Sequence, residues 1–262
     1  MSEEVLLVGG WREVSLVDVL GHVSFTVWLA RCNLKCPWCS NAELAKGVGA
    51  RYVRISEILE ALEKAKAFVD VLHVTGGEPL LQHRALLNLF QRVRSQLNLP
   101  ISLDTNGTHP KALERLAPLL YHLAIDVKAP LSDPQLYAKV TGVSLRLAER
   151  VVKDVTSSIG IGLNVPFLEL RTTLVPGLLT CDDAVRIAEE LEELTRKATG
   201  RVIYVIQQFI PYEGVKGDFA RRPATPAKEV ADCARRVTLT TSLETYYRTL
   251  EEGTRKPQPT RA

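Results

Sequence analysis

Between residues 23 and 250 the chain switches repeatedly between two periodicities. Strand-like runs lie at residues 23–29, 70–75, 101–104, 122–128, 167–175 and 202–208, and in 101–104, 122–128 and 167–175 apolar and polar side chains exchange at every second position. A period of two sends alternate side chains to opposite faces of a strand, so each run predicts a β-strand. Helical spacing fills the intervals at residues 55–66, 83–97, a stretch opened by Pro110, about 144–155, and 182–198. In residues 83–97, Leu86, Leu89, Phe90, Val93 and Leu97 share one helix face. The boundaries carry matching signals: Ser56 as a cap, Thr180 with Asp183 as a capping pair, Gly200 as a stop, and Thr225-Pro226 opening a later helix. Residues 244–250 predict one more strand.

A strand-then-helix rhythm of this kind argues for an α/β fold whose parallel sheet curls into a partial (β/α)6 barrel. No Ser/Gly linker divides the chain, so residues 23–252 are expected to form one barrel domain. Residues 1–22 are expected to be an N-terminal lead-in that packs on the barrel. Residues 253–262, polar and basic with two prolines, are expected to be a flexible tail.

Splitting the strands by parity exposes an unusual interior. His122, Ala124, Asp126 and Lys128 share one face, against Leu123, Ile125 and Val127. Glu169, Arg171 and Thr173 likewise oppose Leu168, Leu170 and Leu174, and Ser102 and Asp104 oppose Ile101 and Leu103. Surface helices must cover the apolar face, which leaves the polar face lining the barrel. Unpaired charges there would cost several kcal/mol each, so they either pair with one another or line a wet cavity that receives a polar ligand. Ligands in such folds bind at the carboxyl ends of the strands. The special turns follow those ends: a Cys-rich loop, Gly76-Gly77-Glu78, Asp104-Thr105-Asn106, Asp126-Val-Lys128 and Pro176-Gly177.

The Cys-rich loop reads Cys32-Asn-Leu-Lys-Cys36-Pro-Trp38-Cys39. Three thiols on one tight turn suit soft-metal chemistry, and a four-iron cluster held by only three of them keeps one iron open for a ligand. A structural zinc knuckle would want a fourth Cys or His nearby, and Ser40 to Leu44 contain neither. A disulfide would strand the third thiol. The remaining cysteines, Cys181 near a helix start and Cys233 on an apolar helical face, read as buried structural thiols. His22, His73, His83, His109 and His122 show no ligand spacing.

Composition narrows the setting. At 262 residues, 46% hydrophobic and 24% charged, the chain fits one large globular domain. A net charge of +3 gives no argument for nucleic acid or an acidic membrane surface. The longest uncharged stretch, residues 155–168, contains Gly and Pro and is too short to span a bilayer. An acidic N-terminus without a signal-peptide pattern, and cysteines concentrated in one loop, predict a cytoplasmic protein.

With Trp38 as its aromatic, the Cys-x3-Cys-x-aromatic-Cys loop resembles that of the radical S-adenosylmethionine (radical SAM) superfamily. The lead-in Ser15-Leu-Val-Asp18-x-x-Gly21 and Asp126-Val-Lys128 resemble the activating enzymes of glycyl-radical enzymes. Among these the resemblance points to the long-form activating proteins of anaerobic ribonucleoside-triphosphate reductase, over about residues 10–215. It implies a [4Fe–4S] cluster on Cys32, Cys36 and Cys39, and S-adenosylmethionine chelating the open iron. Gly76 and Gly77 would let the backbone approach the methionine ammonium, with Glu78 holding that turn. Lys128 and Arg171 would meet the carboxylate. Asp104, Thr105 and Asp126 would face the ammonium or a bound monovalent cation. Trp38 would pack near the cluster and adenine, and Gln208 would join from the sixth strand beside Tyr204. Ser40 departs from the pattern, because many activating enzymes carry His there.

The reaction implied is one-electron cleavage of the sulfonium, giving methionine and a 5′-deoxyadenosyl radical that takes a hydrogen atom from a partner's glycine. The implied partners are a glycyl-radical enzyme, anaerobic ribonucleotide reductase, and an electron donor such as flavodoxin or ferredoxin. Two alternatives stand beside it. One is a radical SAM enzyme acting on a small molecule or another peptide; the other is a non-catalytic iron–sulfur or zinc protein.

Overall fold

The computed structural model describes residues 4–258. Its strands are β1 (Val5–Ser15), β2 (Ser24–Leu29), β3 (Arg51–Arg54), β4 (Val71–Gly76), β5 (Ile101–Thr105), β6 (His122–Asp126), β7 (Phe167–Leu174), β8 (Arg201–Gln208), β9 (Glu244–Thr249) and β10 (Gly253–Arg255). They form one ten-stranded sheet in the order β10-β9-β8-β7-β6-β5-β4-β2-β1-β3. Every neighbouring pair from β2 through β9 is parallel, while β1, β3 and β10 are antiparallel additions at the two ends. Residues 244–250 thus add a parallel strand to the six of the expected barrel.

One loop shows how far the sheet curls. In residues 16–22, Asp18 accepts hydrogen bonds from Thr26 (2.6 Å) and Ser24 (3.3 Å) on β2. In the same loop Leu20 packs against Phe167, Ile203, Val205 and Tyr246 of β7, β8 and β9. Those strands stand at the far end of the parallel run, so one short loop can touch both ends only if the sheet bends round to meet it. The α/β architecture is therefore that of a partial barrel, with residues 16–22 across its open side.

The helices α1 (Ala42–Lys46), α2 (Ile55–Ala65), α3 (His83–Arg92), α4 (Pro110–Leu116), α5 (Pro134–Thr141), α6 (Leu145–Gly162), α7 (Cys181–Thr195) and α8 (Ala227–Thr240) complete the fold. A continuous apolar core joins their inner faces to the outward side chains of the sheet, among them Leu72, Leu103, Leu123, Leu168 and Tyr204. Several boundaries differ from the sequence pattern. Ser56 does not cap α2, which starts at Ile55 straight out of β3 with Arg54 in the cap position. The helical run at 83–97 changes to a π-helical turn from Val93 to Leu97. Helix α6 continues to Gly162, where the buried Ser158 hydroxyl donates to the Gly107 carbonyl (2.7 Å). Thr180 and Asp183 do form the reciprocal cap of α7.

Both ends of the chain correct the sequence reading in part. Most of the lead-in is β1, which sits inside the sheet between β2 and β3. At the other end residues 253–255, expected in a flexible tail, pair with β9 as β10; residues 259–262 lie outside the described residues. No described helix is long and apolar enough to cross a membrane.

Candidate functional site

β2 ends at Leu29, and the chain turns sharply through Arg31, whose φ of 72° is left-handed for a residue with a side chain. Backbone hydrogen bonds hold that turn: Arg31 donates to Leu44 (2.9 Å), Cys32 to Ala45 (3.0 Å), and Glu78 donates back to Arg31 (2.8 Å). Gly76 and Gly77 pack behind it. A Cβ on Gly76 would fall 2.9 Å from the Leu29 carbonyl carbon, and one on Gly77 would fall 2.7 Å from that of Arg31. Both glycines line the cavity, as expected, but their missing side chains make room for the backbone that leads into Cys32.

Cys32, Cys36 and Cys39 are unpaired and half-buried, and all three line one cavity of about 580 Å³. Leu34 N–H (3.4 Å) and the Asn106 side-chain amide (3.7 Å) point at the Cys32 sulfur. Burial pushes the Cys32 thiol up and the Cys36 thiol up to about 12, so both sulfurs need a metal to hold them as thiolates. Among the described residues no three His, Cys, Asp or Glu side chains are grouped to hold a single metal ion; in an iron–sulfur cluster each of the three thiolates would bind a separate iron.

Opposite the thiols stands a charged group from three adjacent strands. Arg171 of β7 bridges Asp104 of β5 (3.0 Å) and Asp126 of β6 (2.9 Å). Lys128 pairs with Asp126 (3.0 Å) and lies 5.2 Å over the Trp38 ring. Burial works against ionising both carboxyls, but Arg171, helped by His73 at Asp104 and by Lys128 at Asp126, holds them below the ordinary range. Burial opposes the charge on Lys128 and Arg171 too, and their carboxylate neighbours more than offset it. Asp104 Oδ1 is buried with no hydrogen-bond partner in the protein. The charges therefore pair with one another and also line a cavity.

The expected site residues divide in three. Trp38, Gly76, Gly77, Asp104, Thr105, Asp126, Lys128 and Arg171 line the cavity with the cysteines. Glu78 does not: it is fully buried behind the wall, accepting from Leu80 N–H (3.0 Å), Thr105 hydroxyl (2.8 Å) and Asn106 N–H (2.7 Å). Burial raises its carboxyl to about 7 against the pull of those three donors. Gln208 does not line this cavity but the adjoining one, donating to Thr225 O (2.8 Å) and accepting from Leu250 N–H (2.7 Å), while Gln207 lines both. The assumed parity of β8 is reversed, because Tyr204 faces the helices and its hydroxyl reaches Ala184 O. Asn106 was missed as a site residue, although its Asp-Thr-Asn-Gly turn was visible. Cys181 and Cys233 are not thiols but a disulfide joining α7 to α8, with Cα atoms 5.5 Å apart.

A second cavity, about 730 Å³, adjoins the first and shares Trp38, Ser40, Asp104, Arg171, Thr173 and Gln207 with it. Both arginines that line it are neutralised within the chain: Arg171 as above, and Arg248 by Glu169 (3.0 Å). Among its lining residues are four exposed apolar or aromatic side chains, Leu16 (75% exposed), Val17 (69%), Leu250 (69%) and Tyr212 (53%).

Three unpaired thiols on one loop, a chamber in the size range of small-molecule sites, and a buried carboxylate oxygen without a partner fit an iron–sulfur cluster and a cationic nucleoside ligand. Comparison with known proteins agrees. A protein of Methanocaldococcus jannaschii, provisionally named a glycyl-radical enzyme activating enzyme, is 28% identical over 228 residues, covering 86% of this chain and 89% of that one. The 7-carboxy-7-deazaguanine synthase of Hyperthermus butylicus is 31% identical over 131 residues, covering 47% of this chain and 54% of that one. Among solved structures, QueE from Escherichia coli superposes with a TM-score of 0.51 at 14% identity, over 94% of each chain, a likeness of fold. The profile of the Radical SAM superfamily matches residues 26–178, from β2 past the end of β7, and the chain belongs to that superfamily, whose enzymes use S-adenosylmethionine and a [4Fe–4S] cluster.

Proposed function

We propose that this radical SAM enzyme activates a glycyl-radical enzyme, with anaerobic ribonucleoside-triphosphate reductase as its target. The observation that carries this reading is the second cavity. Its arginines are already neutralised, which leaves neither free for a carboxylate or phosphate, and exposed apolar side chains surround it. Such a chamber suits a loop of polypeptide better than an anionic small molecule. The similarity to a relative named as an activating enzyme, over most of both chains, supports the same reading.

When bound, the cluster and S-adenosylmethionine supply one-electron cleavage of the sulfonium and hydrogen-atom abstraction. The protein's part is to hold and orient. Cys32, Cys36 and Cys39 ligate the cluster, and Asp104, Thr105, Asp126, Lys128 and Trp38 contact the nucleoside ligand. A monovalent cation beside Asp104 and Asp126 belongs to the same proposal. Arg171 acts by fixing Asp104 and Asp126, since both carboxylates already occupy its guanidinium. Glu78 supports the wall from behind, and Gln207 takes the place first given to Gln208. Residues 23–252 serve as the catalytic barrel, with β1 of the lead-in extending its sheet. The electron comes from a flavodoxin- or ferredoxin-type donor, and the setting is the cytoplasm.

A second reading, a radical SAM enzyme of small heterocycles, draws on the likeness to the deazaguanine synthase. Anaerobically reconstituted protein, reduced and mixed with S-adenosylmethionine and a candidate reductase, separates the two. We expect a glycyl doublet by electron paramagnetic resonance. Methionine and 5′-deoxyadenosine without a doublet would favour the second reading, and neither product would eliminate both.

A further inference from the structure

Each of the three cluster cysteines has a backbone neighbour pressed against a glycine from a different part of the fold. Arg31, before Cys32, lies on Gly77 at the end of β4. Lys35, before Cys36, lies on Gly142 at the C-terminus of α5: a Cβ there would stand 2.9 Å from the Lys35 carbonyl carbon and closer still to its oxygen. Ser40, after Cys39, lies on Gly214 in the segment after β8, where a Cβ would stand 2.8 Å from the Ser40 carbonyl carbon and closer still to its oxygen. All three obstacles are backbone atoms, which cannot swing aside as a side chain can.

We propose that Gly142 and Gly214 are positioning residues for the cluster, setting where the Cys36 and Cys39 sulfurs stand relative to Cys32. Other contacts tie the same surfaces together. Lys35 N–H donates to Thr141 O (2.9 Å), and the Trp38 indole donates to Val140 O (3.1 Å), so the last turn of α5 grips the middle of the loop. Val215, next to Gly214, belongs to a small apolar cluster with Val175 and Phe209, against which Trp38 packs. A cluster bound by three thiolates tolerates little change in their spacing, because each sulfur must reach a different iron. Moving one carbonyl to admit a methyl group shifts the adjoining cysteine directly. The two glycines lie more than a hundred residues from the thiols they serve, so no local motif marks them.

The test is the cluster itself, with the family cofactor loaded anaerobically. Gly142→Ala, Gly142→Asn, Gly214→Ala and Gly160→Ala are compared with the parent protein for iron and sulfide content, spectrum of the reduced cluster, and its loss to a chelator. Gly142 has φ +67°, a conformation that Asn tolerates far better than Ala, so the Asn variant separates the crowding at Lys35 from backbone strain. Gly160 has no atom within 4 Å of an added Cβ and serves as the control. We expect both Gly142 variants and Gly214→Ala to lose iron about ten-fold faster and to show an altered resonance spectrum. Their far-ultraviolet dichroism and unfolding midpoint without the cluster should stay near those of Gly160→Ala. Parent-like retention and spectra in Gly142→Asn and Gly214→Ala would overturn the proposal. So would a loss of folded apoprotein that accounts for the missing iron.

Discussion

Two buried polar layers cross the barrel, and they handle charge differently. The lower layer, nearer the strand N-termini, links His73 to Ser102 (2.8 Å) and Ser102 to His122 (2.7 Å). It ends on Glu169, 3.6 Å from His122 and 3.0 Å from Arg248. The upper layer is Asp104, Arg171, Asp126 and Lys128. Both are ion-paired, and both hold a buried carboxylate oxygen without a hydrogen bond, Glu169 Oε2 below and Asp104 Oδ1 above, so neither feature alone tells a structural network from a site. Exposure does: the side chain of Glu169 is 0% exposed, while that of Asp126 is 31% exposed to the cavity. The lower layer is closed except at Arg248, which lines the second cavity, and its buried His73, Ser102, His122 and Glu169 act on stability. The upper layer keeps one face open, and its ion pairs pre-set the charge that a ligand meets.

The largest effect that would sharpen this contrast belongs to the lower layer. Glu169→Ala leaves Arg248 without its buried partner and should cost about 3–5 kcal/mol of stability, while the folded fraction keeps its affinity for S-adenosylmethionine. Urea unfolding beside calorimetric titration checks both halves. The same carboxyl gives a pH signature. Burial works to raise it, yet Arg248 and His122 bring it down to about 2 from an ordinary 4.5. A depressed carboxyl stabilises the fold fully above 4.5, and that contribution is lost as pH falls from 4.5 through 2. Glu169→Gln should therefore lose less stability across that window than the parent does, by about 3 kcal/mol. Parallel acid profiles would place the lower layer's charge outside the folding equilibrium.

In the upper layer the expectation reverses. Asp126→Ala removes a carboxylate that already faces the cavity, and both cations it touches can turn to water. We expect the cluster to load normally and the affinity for S-adenosylmethionine to fall about ten-fold, or about 1.4 kcal/mol, with a smaller loss of stability than in Glu169→Ala. Unchanged affinity would remove Asp126 from the site and dissolve the distinction between the layers.

How much of this was legible in the sequence follows from what each residue announces. The inward faces of β5, β6 and β7 could be read because charges alternate there with leucine, isoleucine and valine: Asp104, Asp126, Glu169 and Arg171 all turn inward. The cysteine loop was legible because its spacing is local. Contacts between distant segments were not. Arg248 meets Glu169 across 79 positions, and Cys181 meets Cys233 across 52, with no pattern joining them. Helix α5 escaped notice because it is short and begins at Pro134 behind an Asp133 cap, amid turn-like residues. The glycines after β4 suggested close approach by a ligand, whereas what their missing side chains admit is the chain's own backbone.

β8 shows the limit most clearly and gives the smallest effect. Its sequence, Arg-Val-Ile-Tyr-Val-Ile-Gln-Gln, is apolar on both faces until the last two residues, so parity could not be read from it. In the fold Ile203 and Val205 point into the barrel, which puts Gln207 at the cavity and leaves Gln208 to bind Thr225 and Leu250. Gln208→Ala removes two hydrogen bonds to backbone groups and should cost about 1–2 kcal/mol of stability without altering cofactor cleavage. Gln207 accepts only a long hydrogen bond from Thr173 (3.4 Å), so Gln207→Ala should change stability by less than about 0.5 kcal/mol. Its effect should appear instead in cofactor cleavage, because the Gln207 side chain lines the thiol cavity as well as the second one, whereas Gln208 lines the second alone. Unfolding curves and cofactor cleavage measured on the pair decide the point. If the stability loss falls on Gln207 and the loss of cofactor cleavage on Gln208, the strand's parity is the one first read from the sequence, and the wall between the two cavities must be redrawn.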